Sequence, residues 1–260
     1  MTQSIVRPPA QRIAIVLAVC LQIGATFLPQ LGLGEPIGDR SDSTRTLITP
    51  AGWAFAIWGP LFLGSAVFAL WQALPGQRRN ALVHRIGWWA AIALAAQGVW
   101  AIYTQFANLT FVSVIIIATS LLALLAILRA LVHHAPAFTG TERWIVALVF
   151  SALAAWLTAA TIGNVSASLV YHGVGGGLAH PQITALMVAV GGLIAALAVL
   201  QSKGNPWYAA VFCWALTAIA LRGGQQFEII ALACSGAAVL VLAAMLVGLR
   251  QSANRRRWFG

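Results

Sequence analysis

Apolar runs of about twenty residues, each closed off by a short polar connection, repeat from one end of the chain to the other. They cover residues 13–33, 51–74, 86–107, 111–131, 145–170, 183–200, 207–221 and 227–249. Crossing about 30 Å of hydrocarbon takes roughly 20 helical residues. A segment inside a bilayer must also satisfy its own backbone hydrogen bonds, which a helix does. The pattern therefore predicts an all-α fold, a polytopic transmembrane helix bundle of about eight spans. The run at 207–221 is the shortest, and Pro29 perturbs the end of the first. The longest connections, 34–49, 133–143 and 171–182, are too short to form a soluble domain.

Composition agrees with this reading. The 260 residues are 60% hydrophobic and 8% charged, far below the roughly 25% charge of soluble domains. The formal charge of +10, from 15 Lys and Arg against 5 Asp and Glu, would suggest nucleic acid in a soluble protein. Here the basic residues lie mainly between apolar runs, so the expected partner is the lipid bilayer and no nucleic acid. With eight spans, twelve of the basic residues fall on the side of the termini. Only Arg40, Arg45 and Arg222 fall on the other. Basic loops stay in the cytoplasm, which predicts a bacterial cytoplasmic membrane with both termini cytoplasmic. Arg255, Arg256 and Arg257 suit anionic headgroups. Cys20, Cys213 and Cys234 sit inside apolar runs and read as small hydrophobes.

Three stretches carry more than a span requires. The first runs from Thr49 to Gly64 and includes Pro50-Ala-Gly-Trp-Ala-Phe55 and Trp58. Prolines interrupt helices and glycines let backbones approach closely. With Trp53, Phe55 and Trp58 they suggest a shaped aromatic mouth at the outer surface, beneath a loop that holds Glu35, Asp39 and Asp42. Interfacial tryptophans also form ordinary belts. In the second stretch, Gln97, Trp100 and Thr104 share a helix face, with Tyr103 and Gln105 toward the outer interface. In the third, Trp156, Ala160 and Asn164 share a face and Thr161 is adjacent. Both polar sets serve equally as hydrogen bonds between helices or as the lining of a site.

Little else offers chemistry. His172 and His180 flank a glycine run with no third ligand nearby, and Glu228 suits the start of a helix. No hydrolase, kinase or metalloprotease motif occurs. Almost nothing inside the spans titrates near neutral pH, so general acid–base chemistry has few players. Aromatic surface with a few hydrogen-bonding groups is how a site for a flat, mostly apolar ligand looks.

The three stretches together resemble the tryptophan-rich sensory protein family, also called the translocator protein or peripheral benzodiazepine receptor family. Pro50-Ala-Gly-Trp-Ala-Phe55 with Trp58 is similar to its second-helix motif, and Gln97-Gly-Val-Trp100 to its third. Trp156-Leu-Thr-Ala-Ala-Thr-Ile-Gly-Asn164 resembles its fifth without a gap. The resemblance implies a five-helix bundle over residues 1–171, with residues 172–260 adding three helices and a basic tail. It implies a pocket under the first loop, built from Trp53, Phe55, Trp58, Trp100, Trp156, Ala160, Thr161 and Asn164. Gln97 joins Thr161 and Asn164 as a group orienting the ligand's polar edge.

The ligand so implied is a planar hydrophobic molecule, most plausibly a porphyrin, bound by a membrane receptor or carrier. The alternatives are an eight-span transporter of a small hydrophobic substrate and a light-dependent porphyrin-degrading enzyme. No cofactor is required; porphyrin or haem is the candidate bound group, and a homodimer the candidate assembly. The chain departs from the family pattern at Ala51, where the motif has a second proline, and in its shorter Phe55–Trp58 spacing. The sterol-recognition segment after the fifth helix is also missing.

Overall fold

The computed structural model describes residues 6–135, 137–174 and 180–260. Every element among them is helical. The long helices are α1 (Pro9–Gly24), α3 (Trp58–Ala73), α4 (Ala81–Ala107), α5 (Phe111–Val132), α6 (Leu148–Tyr171), α7 (Pro181–Gln201), α8 (Pro206–Ile219) and α9 (Glu228–Leu249). Two short ones, α2 (Ile37–Ser43) and α10 (Ser252–Phe259), lie outside the spans.

Local sequence sets their starts. Pro9, Pro181 and Pro206 stand in the first turns of α1, α7 and α8, where a missing N–H costs nothing. The side chains of Asn80, Thr110 and Asn205 accept from the backbone of Val83, Val112 and Tyr208 and cap α4, α5 and α8. Gly204, between α7 and α8, has φ of +75°, and a Cβ there would lie 2.7 Å from the carbonyl oxygen of Met245 on α9. A side chain at this turn would meet both backbone strain and a clash.

Among the described residues, seven helices are long and apolar enough to cross a membrane. The run expected at 207–221 is not among them. It is α8, extended by a π turn at Ala220–Gly224, and it still connects the two ends of the bundle. At one end Trp258 donates its indole N–H to Lys203 O, at 3.2 Å, just ahead of α8. At the other, Arg222 Nη1 donates to Pro50 O at 3.0 Å. Eight rods therefore run between the ends.

The first described residues and the C-terminal helix lie at one end. Arg7 N donates to Arg78 O, Asn80 Nδ2 to Glu142 Oε1, and Arg143 Nε to Arg257 O. The basic side of the sequence is thus a physical end of the molecule.

Packing runs from α1 to α4, α5 and α6, and from α6 through α8 to α9 and α7, with α3 against α1 and α6. One buried cluster continues from Ile15 on α1 to Val241 on α9. The start of α8 is joined to α6 by polar bonds as well. Tyr208 OH donates to Thr158 Oγ1 at 2.8 Å, and Asn205 Nδ2 to Ser151 Oγ at 2.7 Å.

Candidate functional site

The aromatic stretch before α3 does not begin as an α-helix. Gly52–Ile57 is a 3₁₀ turn, the tighter form in which short irregular segments are often held. Its freed backbone groups are taken up by α8. Ala51 N donates to Ala218 O at 3.1 Å, and Ala54 O accepts from Trp214 Nε1 at 3.1 Å. Pro50 O is the group held by Arg222. A buried backbone polar group needs a partner, and here the partners come from a helix far along the chain.

Two cavities open around this stretch. The larger, about 450 Å³, lies among α1, α3, α4 and the loop that carries α2. That is within the roughly 300–1,000 Å³ range of small-molecule pockets. The smaller, about 100 Å³, lies among α4, α6, α7 and α8. Phe55, Trp100 and Ile37 line both. Phe55 and Trp58 each meet the ring of Trp156 edge-on at 6.1 Å, an aromatic geometry that is favourable in itself.

The residues expected from the sequence divide between these spaces. Phe55, Trp58, Gln97 and Trp100 line the larger cavity. Phe55, Trp100, Trp156, Ala160 and Asn164 line the smaller. Trp53 lines neither: it is 44% exposed and meets Trp214 edge-on at 4.8 Å. Thr161 also lines neither, and its hydroxyl donates to Leu157 O one turn back.

Asn164 and Gln97 combine both roles that the sequence left open. Asn164 Oδ1 accepts from Ser113 Oγ on α5 at 2.8 Å. Gln97 Oε1 accepts from Gln22 Nε2 at 2.8 Å, and its own Nε2 donates to Ala93 O and Ser120 Oγ. They tie helices together and also face a cavity. Thr104 is buried but turns back on Trp100 O and Ala101 O within α4. Tyr103 bonds Thr110 at 2.7 Å.

Other lining residues escaped sequence reasoning. Gln22 and Gln105 both line the larger cavity, with 1% and 0% of their surface exposed. Gln105, placed by sequence toward the outer interface, is therefore interior. Its Nε2 donates to Ala25 O and Ala101 O, both at 2.9 Å, so its Oε1 is the atom left over. Gln22 Oε1 is likewise without a donor, and the indole N–H groups of Trp100 and Trp156 are buried without acceptors. Each such group costs about 1–3 kcal/mol relative to a paired one. A glutamine inside an apolar run was a signal for Gln22. Nothing in the sequence marked Arg222 or Trp214.

Among the described residues no cluster of three metal-ligating side chains occurs. His172 lies against Phe111 with parallel rings 4.5 Å apart. Residues 175–179, the glycine run before His180, lie outside the described residues.

The family model described as TSPO-like protein matches residues 10–247. That match continues beyond α6, through α7 and α8 and across nearly all of α9. No curated protein and no solved structure matches the chain.

Proposed function

The chain belongs to the TSPO-like protein family, and from that premise we propose that it binds a planar, mostly apolar ligand between its helices, a tetrapyrrole being the best candidate. Family membership makes it an integral multi-pass membrane protein of receptor or transporter type. The ligand is the proposal. One observation carries it: buried polar atoms without partners stand in aromatic walls around the two cavities. Buried polar groups in folded proteins are nearly always paired, and an exception calls for a reason. A flat ligand with polar atoms at its centre and edge supplies one. It would rest against Phe55, Trp58 and Trp100 and offer donors to the amide oxygens of Gln22 and Gln105. Ligand mass that fills apolar space adds the larger share of affinity, while the few polar contacts fix orientation.

The test is a titration with protoporphyrin IX in detergent micelles, followed by porphyrin absorbance so that changing a tryptophan does not alter the signal. Saturable binding is expected, weakened about tenfold by Trp100→Phe, the loss of one fully used buried contact. Trp53→Phe should leave affinity within about twofold, since exposed sites away from a pocket have small effects. Equal effects of the two substitutions, or no saturable binding, would defeat the reading.

The charge asymmetry supports a cytoplasmic location for the basic end, as in a bacterial inner membrane. A cysteine placed at Gln251 should react with an impermeant thiol reagent in inverted vesicles and not in intact cells. The opposite pattern would reverse the orientation.

A further inference from the structure

The basic end carries charge that the rest of the molecule does not neutralise. Twelve of the 15 basic residues stand there against one acid, Glu142. Both carboxylate oxygens of Glu142 are taken, one by Asn80 and the other by Thr139. The ion pairs among the described residues, Glu35 with Arg40 and Asp42 with Arg45, lie at the loop-side end. Part of the basic set is nevertheless occupied. Arg7 and Arg12 donate to carbonyls at the end of α3. Lys203 donates to Val132 O, and Arg257 to Leu131 O and His134 O, at the end of α5. A cation at a helix C-terminus takes up carbonyls that the helix leaves open. Of the three arginines expected at headgroups, Arg257 is therefore in use.

The other two stand on the outer side of α10. This helix is fastened to the bundle by Trp258, which is fully buried and bonded to Lys203 O. Asn254 Nδ2 adds a bond to Gly248 O at 2.7 Å. Arg255 and Arg256 are exposed. Arg255 uses Nη1 on Leu249 O and Arg250 O, and the Arg256 guanidinium enters neither ion pair. One turn further on, Phe259 is 51% exposed, and its ring stands 6.0 Å from that of Trp207. Trp207 is 5.2 Å from Trp144, itself 53% exposed. Residues three and four apart on a helix are neighbours, so both arginines border this aromatic shelf. Trp207 stands in the first turn of α8 and Trp144 near the start of the span 142–171. Aromatic side chains at the ends of spans meet the headgroup region.

We propose that α10 and the shelf form a site for an anionic phospholipid. The acyl-glycerol part rests on Phe259, Trp207 and Trp144, and Arg255 and Arg256 hold the headgroup. Guanidinium groups match phosphate oxygens with paired hydrogen bonds, and a surplus of cations selects lipids of net negative charge. A zwitterionic lipid brings a cation of its own to an end that already has an excess. None of these residues lines either cavity, so the site does not depend on what the cavities bind.

The experiment releases the full chain from micelles that hold equal amounts of phosphatidylglycerol and phosphatidylcholine, and counts the retained lipid by native mass spectrometry. The wild type should retain phosphatidylglycerol in about tenfold preference, the scale of two arginines beside anionic lipid. Arg256→Gln should lower that ratio severalfold. Arg255→Gln with Arg256→Gln should bring it close to parity. Arg78→Gln with Arg79→Gln removes the same charge from the α3–α4 connection at the same end. It should leave the ratio within about twofold, because exposed charges are screened within about 10 Å. An excess of inorganic phosphate should not displace the lipid, since it has no apolar body for the shelf. Equal retention of the two lipids by the wild type would overturn the proposal. So would equal losses in the two double variants, which would mean a diffuse attraction of charge. Displacement by phosphate would also overturn it, in favour of a site for a free anion.

Discussion

Gln72 and Gln105 are chemically identical and equally buried, yet the two ends of the molecule use them differently. Gln72, at the basic end, spends everything it has. Its Oε1 accepts from Arg7 Nη2 at 2.6 Å, and its Nε2 donates to Arg12 O and Ala69 O. Gln105, at the opposite end, leaves Oε1 unused. The basic end is closed by such bonds, from Arg7 with Gln11 and Gln72 to Asn80 with Glu142. The loop-side end keeps two cavities and four unsatisfied polar atoms in their walls. Arg12 Nε, His84 Nδ1 and Trp207 Nε1 at the basic end, and Arg40 Nε and Ser168 Oγ at the loop-side end, also lack partners, but none of these residues lines either cavity. In a membrane protein, buried polar residues are common glue. What sets the open end apart is that residues carrying its unsatisfied atoms line cavities.

The largest effect should come from breaking the closed end. Arg7→Ala strands Gln72 Oε1 and the carbonyls of Gln72 and Gln77. It should cost about 3 kcal/mol, read as a lower unfolding midpoint in detergent, with little change in ligand affinity per folded molecule. Gln105→Leu should do the reverse. It removes the two bonds made by Nε2 and costs about 1 kcal/mol, but it should weaken porphyrin binding about tenfold. If Gln105→Leu destabilises as much as Arg7→Ala and leaves binding intact, the contrast between the two ends collapses.

Trp214→Phe is a smaller perturbation that sharpens the role of α8. The ring can still pack on Trp53, but Ala54 O loses its donor. A cost of about 1 kcal/mol with a severalfold loss of affinity would show that α8 positions the aromatic stretch.

The smallest effect belongs to His134, in the connection between α5 and α6. Burial pushes its pKa below the ordinary 6.5; Glu142 raises it, and Arg85 and Arg257 lower it. Between 6.5 and the lower folded value the unfolded chain binds the proton and the folded chain does not. Stability is therefore lost as pH falls through that window. His134→Gln should flatten the slope of unfolding midpoint against pH just below 6.5. An unchanged slope would assign it to another group.

The sequence made the bundle legible because each span has to be long and apolar, and that requirement leaves a direct record in the pattern. The grouping of Phe55 and Trp58 with Trp156 came from the resemblance of their stretches to the family's second- and fifth-helix motifs, and the rings do meet. Trp53 carried the same signal and sits outside both cavities, because its place is set by α8 through Trp214. That partnership was hidden for a physical reason. The bonds that hold residues 50–54 involve the backbone of Pro50, Ala51 and Ala54, and backbone atoms leave no mark in a sequence. Gln105 was misplaced for a related reason. Its proximity to a helix end suggests an interface, whereas Gly34 and Glu35 fold against it and close it off. The short α8 was legible as a weak span. Its function as the support of the mouth was not.

The central claim is that the unused polar atoms of the open end are completed by a ligand. It is tested most directly by the ligand-induced shift in unfolding midpoint, with protoporphyrin IX, in the wild type and in a Trp100→Phe, Gln105→Leu double variant. A ligand at about 100 times its Kd stabilises a folded protein by about 2.7 kcal/mol. The wild type should shift upward by a corresponding amount and the double variant hardly at all. Equal shifts in the two proteins, or none in the wild type, would contradict the account.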